Sequence, residues 1–261
     1  MSHSDNAVVI GDELYEALTS CMPVAPLTDR FPALTVEDAY RIQLHLIERR
    51  LKAGERVVGK KIGLTSLAVQ AALGVSQPDF GHLTSNMAYV SGDVIDTSKL
   101  IAPRAEGEIA FILKRDLAGP GVTNQDVLAA TECVLPCFEI VDSRVRDWKI
   151  KIEDTVADNA SSGAYVLGHT AVDPYQMDFV NCGMVVEKNG VVVGTGAGAA
   201  ALGSPVTAVA WLANTLGRLG IGLKAGEVIL SGALSALVPV QSGDVMRVRI
   251  GGLGSATVRF S

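Results

Sequence analysis

Long apolar stretches are missing from this chain of 261 residues. No run approaches the roughly 20 residues that a helix needs to cross a bilayer, so no membrane partner is expected. The opening "MSHSDNAVVIGDELYEAL" has no basic segment leading into an apolar one and a cleavage site, which points to a cytoplasmic protein. Runs of Lys and Arg are absent as well. With 22 basic and 28 acidic residues the formal charge is −6, which argues against a nucleic-acid partner. Cys21, Cys133, Cys137 and Cys182 form no C-x-x-C pair and read as reduced thiols rather than a zinc site. Likewise His3, His45, His82 and His169 form no pair at ligand spacing. Ser231 in "LSGAL" lacks the G-x-S-x-G elbow. "GTGAGAA" follows a hairpin pattern instead of opening a βαβ unit, which argues against a dinucleotide site.

What remains is ordinary globular material with unusual punctuation. Hydrophobic residues make up 48% of the chain and charged ones 19%, enough for a sizeable core, and 27 glycines predict many turns. The first third reads helical. "GDELYEALTS" is amphipathic. Thr35 and Asp38 form a capping box ahead of "VEDAYRIQLHLIERRLKAG", with Tyr40, Leu44, Ile47 and Leu51 on one stripe and Gly54 as the stop. "SLAVQAAL" predicts another short helix between Ser66 and Gly74. From about residue 86 the pattern becomes β-branched runs bounded by Gly, Asp and Ser. Hairpins are expected at Asn189-Gly190 and near Gly251-Gly252, and helices at "TNQDVLAATE" and "SPVTAVAWLANTLGRLG". The expected fold is α+β: a small helical N-terminal region over residues 1–85 and a mixed, mainly β catalytic domain over 86–261.

The chemistry starts with "PRAEGEIAFIL". Alternate strand residues share a face, so Glu106 and Glu108 project side by side from an apolar element. Like charges on one face repel unless something neutralises them. A divalent cation would, and hard oxygen ligands suit Mg²⁺ or Mn²⁺. "CVLPCFEIVDSRVRDW" offers a third acid, Glu139, in another apolar strand; Arg104 or Arg144 could instead pair with it. "VVGKKIGLTS" places Lys60 and Lys61 on opposite faces of a strand, so at most one of them meets a site. A lysine partly desolvated beside a metal can transfer protons. Asp79 sits in the turn of "QPDFG", with His82 close by. In "DTVADNASSG", Asp158, Asn159, Ser161 and Ser162 could cap a loop.

Taken together, "GKKIGLTS", "QPDFG", "PRAEGEIAFIL", "CFEIVDSR", "DTVADNAS" and "GAGAALGSPVTAVAWLANTL" resemble the 2-hydroxypenta-2,4-dienoate (2-oxopent-4-enoate) hydratases of the fumarylacetoacetate hydrolase superfamily, from about residue 10 to the end. The resemblance implies a distorted β-sandwich or barrel-like core, dependence on Mg²⁺ or Mn²⁺, and a homo-oligomer, often a pentamer or decamer. It also implies a place in aromatic meta-cleavage catabolism and allows a complex with a pathway decarboxylase. Carried over by motif, Glu106, Glu108 and Glu139 are the expected metal ligands. Lys61 and Asp79 are the expected acid–base groups, and Ser161 and Lys60 the expected substrate contacts. The sister 4-oxalocrotonate decarboxylases share fold and triad. Asp79 favours hydration over that alternative, while Ser162, where hydratases often carry cysteine, leans the other way. A catalytically silent binding subunit is the non-enzymatic reading, and the intact carboxylate set argues against it.

Overall fold

The computed structural model describes residues 3–261. Three helices lead: α1 (His3–Ser20), α2 (Leu27–Arg30) and α3 (Val36–Lys52). β1 (Val57–Gly63), α4 (Leu67–Leu73), β2 (Asp79–Thr84), β3 (Ala88–Val90) and β4 (Val94–Ile95) follow. The middle of the chain holds β5 (Arg104–Leu113), α5 (Asn124–Ala130), β6 (Thr131–Val141), α6 (Ile152–Ala157) and β7 (Ser162–Leu167). Last come β8 (Gly183–Lys188), β9 (Val191–Ala197), α7 (Pro205–Gly217), β10 (Val228–Leu230), β11 (Val238–Pro239), β12 (Val245–Ile250) and β13 (Gly254–Phe260).

The strands form two mixed sheets. The larger runs β2-β1-β10-β5-β6-β7-β3 with β11 also on β5, and the smaller runs β4-β13-β12-β8-β9. The expected α+β class holds. The sheet, however, begins at residue 57. β1 and β2 lie ahead of the expected boundary near residue 86, and β1 pairs with β10 from the far end of the chain. β1 is the strand expected to carry Lys60 and Lys61, whereas the turn-like "QPDFG" hid β2 from pattern reading.

Strand parity decides what each face does. From β5, Ala105, Ile109, Phe111 and Leu113 join the main core with Phe138 and Ile140 of β6 and with Met184, Val186, Met246 and Val248 of the smaller sheet. Phe111 and Phe138 are wholly buried there, and each such burial contributes roughly 1.5–3 kcal/mol. The even-numbered residues of β5 therefore face the other way. There Ala110 packs with Cys137, Tyr165, Leu230, Leu83 and Met87 in a second, smaller cluster. A third cluster joins α1, α3 and α6 through Ile10, Leu14, Ile42, Leu46 and Val156.

Local signals were mostly sound. Thr35 and Asp38 cap α3 reciprocally, and Asn189 and Gly190 turn the β8–β9 hairpin at positive φ of 54° and 80°. The buried stripe of α3 differs from the expected one. Leu44 and Leu51 are exposed, while Ala39, Ile42, Gln43, Leu46 and Arg50 are buried. The helix is rotated because Gln43 reaches inward to donate to the carbonyls of Phe80 and Val156, and Arg50 pairs with Glu55. A helical stretch at Gly198–Gly217 is long and apolar enough to cross a membrane, contrary to expectation. Half of it is buried inside the fold, with Val206, Val209 and Leu212 in the main core, as for a core helix. All four cysteines are free thiols, Cys137 and Cys182 buried.

Candidate active site

β5 and β6 are antiparallel neighbours, and their register sets Glu106 directly opposite Glu139. Glu108 follows two residues on, on the same face, opposite Cys137. One oxygen from each of the three carboxylates lies within 4.8 Å of the others. The sequence-predicted acids thus converge. Glu108 and Glu139 are buried, and Glu106 opens toward a cavity. The amide of Gly232, just past β10, donates to Glu108 Oε2 at 2.8 Å. Glu108 Oε1 and both oxygens of Glu139 have no aligned hydrogen bond among the described residues. Buried acceptors left open in this way are costly. A ring of hard anionic oxygens with free lone pairs, in an apolar shell, is the donor set that a divalent cation needs.

β1 brings a counter-charge. Lys61 is buried, with its Nζ 3.2 Å from Glu139 Oε2 and 3.1 Å from the carbonyl of Ala160, to which it donates. Asp79 faces Gly63 across the β1–β2 ladder, and its Oδ1 is buried with no hydrogen bond among the described residues. Four carboxyl groups therefore share one ammonium. Burial alone would lower the Lys61 pKa, but Glu139 first, then Asp79, Glu106 and Glu108, push it well above the lysine range. The acids move the other way. Burial, then Glu139, raises Glu106 to about 7. Burial, then Glu139 and Glu106, raises Glu108 well above the usual carboxylate range. Burial also raises Asp79 and Glu139, against the pull of Lys61. Burial and mutual repulsion thus favour the neutral forms of the carboxyls, while the same acids favour the charged form of Lys61.

Lys60 is not brought to this cluster. It lies in register with His82 and Ile229, on the opposite side of the pleat, and forms an ion pair with Glu227 at 2.6 Å. That pair is part-buried and engages the ammonium away from the three glutamates. His82 lies on that side too, and burial, then Lys60, lowers its pKa to about 4. Ser161 is buried close to the site, but its hydroxyl is engaged with Thr155 at 3.1 Å and Asp158 at 3.4 Å. Arg144 does not meet Glu139. It pairs with Asp158 and donates to the Ser162 carbonyl at 2.9 Å, which pins residues 158–162 beside the site. Asp142 turns away and accepts from the amides of Ile101 and Ala102. Reading residue by residue missed the Ala160 carbonyl and the Gly232 amide, because backbone groups leave no trace in residue type.

The mouth of the site is a cavity of about 470 Å³, bounded by Glu106, Ile62, Leu64, Val69, Leu234 and Leu237 among others. Among the described residues lining it, Glu106 alone is charged. A volume of this size suits a small organic ligand with an apolar body. A separate cleft of about 300 Å³ at Ile10, Phe31 and Ile42 offers, as charged groups, only Arg30 and Asp38; Arg30 is paired with Glu13 and Asp38 caps α3.

Residues 57–261 match the fumarylacetoacetate (FAA) hydrolase C-terminal family. The chain belongs to this family. It is 69% identical over 213 residues to a 2-hydroxypent-2,4-dienoate hydratase of Pseudomonas putida, covering 81% of this chain and 96% of that one. It is 58% identical over 253 residues to a 2-hydroxyhexa-2,4-dienoate hydratase of Comamonas testosteroni, covering 96% of both. Among solved structures, a 4-oxalocrotonate decarboxylase from Pseudomonas putida G7, complexed with magnesium and adipate, superposes with a TM-score of 0.96 at 39% identity. That match covers 100% of this chain and 99% of the other.

Proposed function

We infer that this protein hydrates 2-hydroxypenta-2,4-dienoate (2-oxopent-4-enoate) to 4-hydroxy-2-oxopentanoate, a hydro-lyase step of aromatic meta-cleavage catabolism. The observation that carries this reading is the Glu106–Glu108–Glu139 cluster with its open oxygens, set beside Lys61 and Asp79 under an apolar cavity. Hydratases at 69% and 58% identity support it. Glu106, Glu108 and Glu139 would hold Mg²⁺ or Mn²⁺. Bound there, the ion would supply Lewis-acid chemistry at the C2 carbonyl of the 2-oxo acid.

The chain's own groups supply the protons and the shape. The charged Lys61 ammonium and the Asp79 carboxyl, its pKa raised by burial, are the acid–base pair. A proton is delivered to C5 as the enol O–H gives one up, which leaves a 3,4-unsaturated 2-oxo acid. Water then adds at C4, losing a proton to a base, and a proton is placed on C3. Each step returns the pair to its starting charge. The walls formed by Ile62, Leu64, Leu234 and Leu237 hold the hydrocarbon end and limit stray water. Ser161 serves through the loop that it buttresses. A homo-oligomer of five or ten subunits, a cytoplasmic location and association with a pathway decarboxylase complete the proposal.

A second reading, decarboxylation of 4-oxalocrotonate, is favoured by the TM-score of 0.96 to the decarboxylase and by Ser162. Two features stand against it: Asp79 at the site, and cavity walls that offer no cation among the described residues to receive a second carboxylate. The test is to supply Mg²⁺ or Mn²⁺ and follow two reactions. Loss of dienoate absorbance with formation of 4-hydroxy-2-oxopentanoate supports hydration. Carbon dioxide release from 4-oxalocrotonate, with the dienoate untouched, would replace it by the second reading.

A further inference from the structure

Residues Asn159, Ala160 and Ser161 take three successive left-handed conformations, with φ of 55°, 50° and 52°. Each such non-glycine residue is strained, and persists only where its surroundings over-determine it. Those surroundings are visible. The Asn159 side chain pairs with the backbone of β2 twice: its Oδ1 accepts from the His82 amide at 2.8 Å, and its Nδ2 donates to the His82 carbonyl at 2.9 Å. β2 is the last strand of its sheet, so this amide stands where a further strand would. Gly81 leaves room for the approach; a methyl group there would lie 2.5 Å from the Asn159 carbonyl. On the other side the Ser161 carbonyl accepts from the Asp142 amide at 2.8 Å. Held at both ends, the turn aims the Ala160 carbonyl at Lys61 Nζ, 3.1 Å away.

We propose that Asn159 is a positioning residue for proton transfer: it fixes the Ala160 carbonyl and, through it, the ammonium of Lys61. This rests on the reading of Lys61 as an acid–base group. A lysine side chain gives up much rotamer freedom when held in one geometry, so its position needs a restraint. A neutral carbonyl restrains it without adding a further acid to the four already present.

The test is a double-mutant cycle, run with Mg²⁺ present. Asn159→Ala is expected to lower kcat about 100-fold, the scale of a 1 Å misplacement, with KM changed less than threefold and the Mg²⁺-induced rise in Tm retained. In a Lys61→Met background, Asn159→Ala should cause no further loss. A normal kcat in Asn159→Ala, or the same loss in both backgrounds, overturns the positioning role. A Lys61→Met enzyme with near wild-type kcat would overturn the assignment of Lys61, and this role with it. If Asn159→Ala does not fold, Asn159→Asp serves in its place, since it keeps the acceptor for the His82 amide and loses the donor.

Discussion

Removing the divalent cation with a chelator, and returning it at controlled pH, probes the acid cluster directly. At an effective dielectric near 20, two charges no more than 4.8 Å apart repel by at least about 3.5 kcal/mol. Three ionised carboxylates would carry about 10 kcal/mol, comparable to the whole stability of a domain. The metal-free site therefore keeps protons, with Glu106 ionising near 7 instead of 4.5. A carboxyl raised in this way contributes stability that is fully present below pH 4.5 and is lost as pH rises through 7. At 1.36 kcal/mol per unit the loss is about 3 kcal/mol, or roughly 6–12 °C in Tm. Glu106→Gln should cancel it. The metal-free variant should outlast the metal-free wild type at pH 8, and the gap should close by pH 4.5. Binding of Mg²⁺ or Mn²⁺ must displace these protons, so affinity should fall about tenfold or more per pH unit below 7. Calorimetric titration in two buffers of different ionisation heat reads the proton release, and thermal melts read the stability. Binding that releases no protons, with affinity flat from pH 6 to 8, would refute the reasoning.

Two further outcomes are expected. Gly63→Ala sets a methyl inside the contact distance of Asp79 Oδ1 and 3.2 Å from Lys61 Nζ. It should cost about 100-fold in kcat while leaving calorimetric Mg²⁺ binding intact, because no cluster acid is touched; equal loss of both would argue against separate acid–base and metal groups. Lys60→Met strands Glu227 and should destabilise the fold by roughly 3–5 kcal/mol in urea titration, with kcat of the folded fraction near wild type; a large kcat loss would return Lys60 to the site.

Most of the site could be read because its acids break a pattern. Glu106, Glu108 and Glu139 interrupt strands that are otherwise Ile, Ala, Phe, Val and Leu, and strand parity is enough to place the first two side by side. The pairing of Glu106 with Glu139 could not be derived that way, since register depends on the whole β5–β6 ladder. Nor could the choice between the lysines. Lys60 and Lys61 are chemically identical, and only the β1–β10 pairing decides which one faces Glu139. α3 shows the same limit at the level of the fold. Its caps are local and were legible, whereas its rotation follows from Gln43 and Arg50, whose partners lie in other segments.

Those adjacent lysines have a consequence for how the gene can vary. Deleting either codon yields one and the same polypeptide, with a single ammonium left for two duties. A slip of β1 by one step would likewise leave a lysine at only one of the two places, with Gly59 or Ile62 at the other. Fidelity at this spot therefore resides in alignment as much as in residue identity.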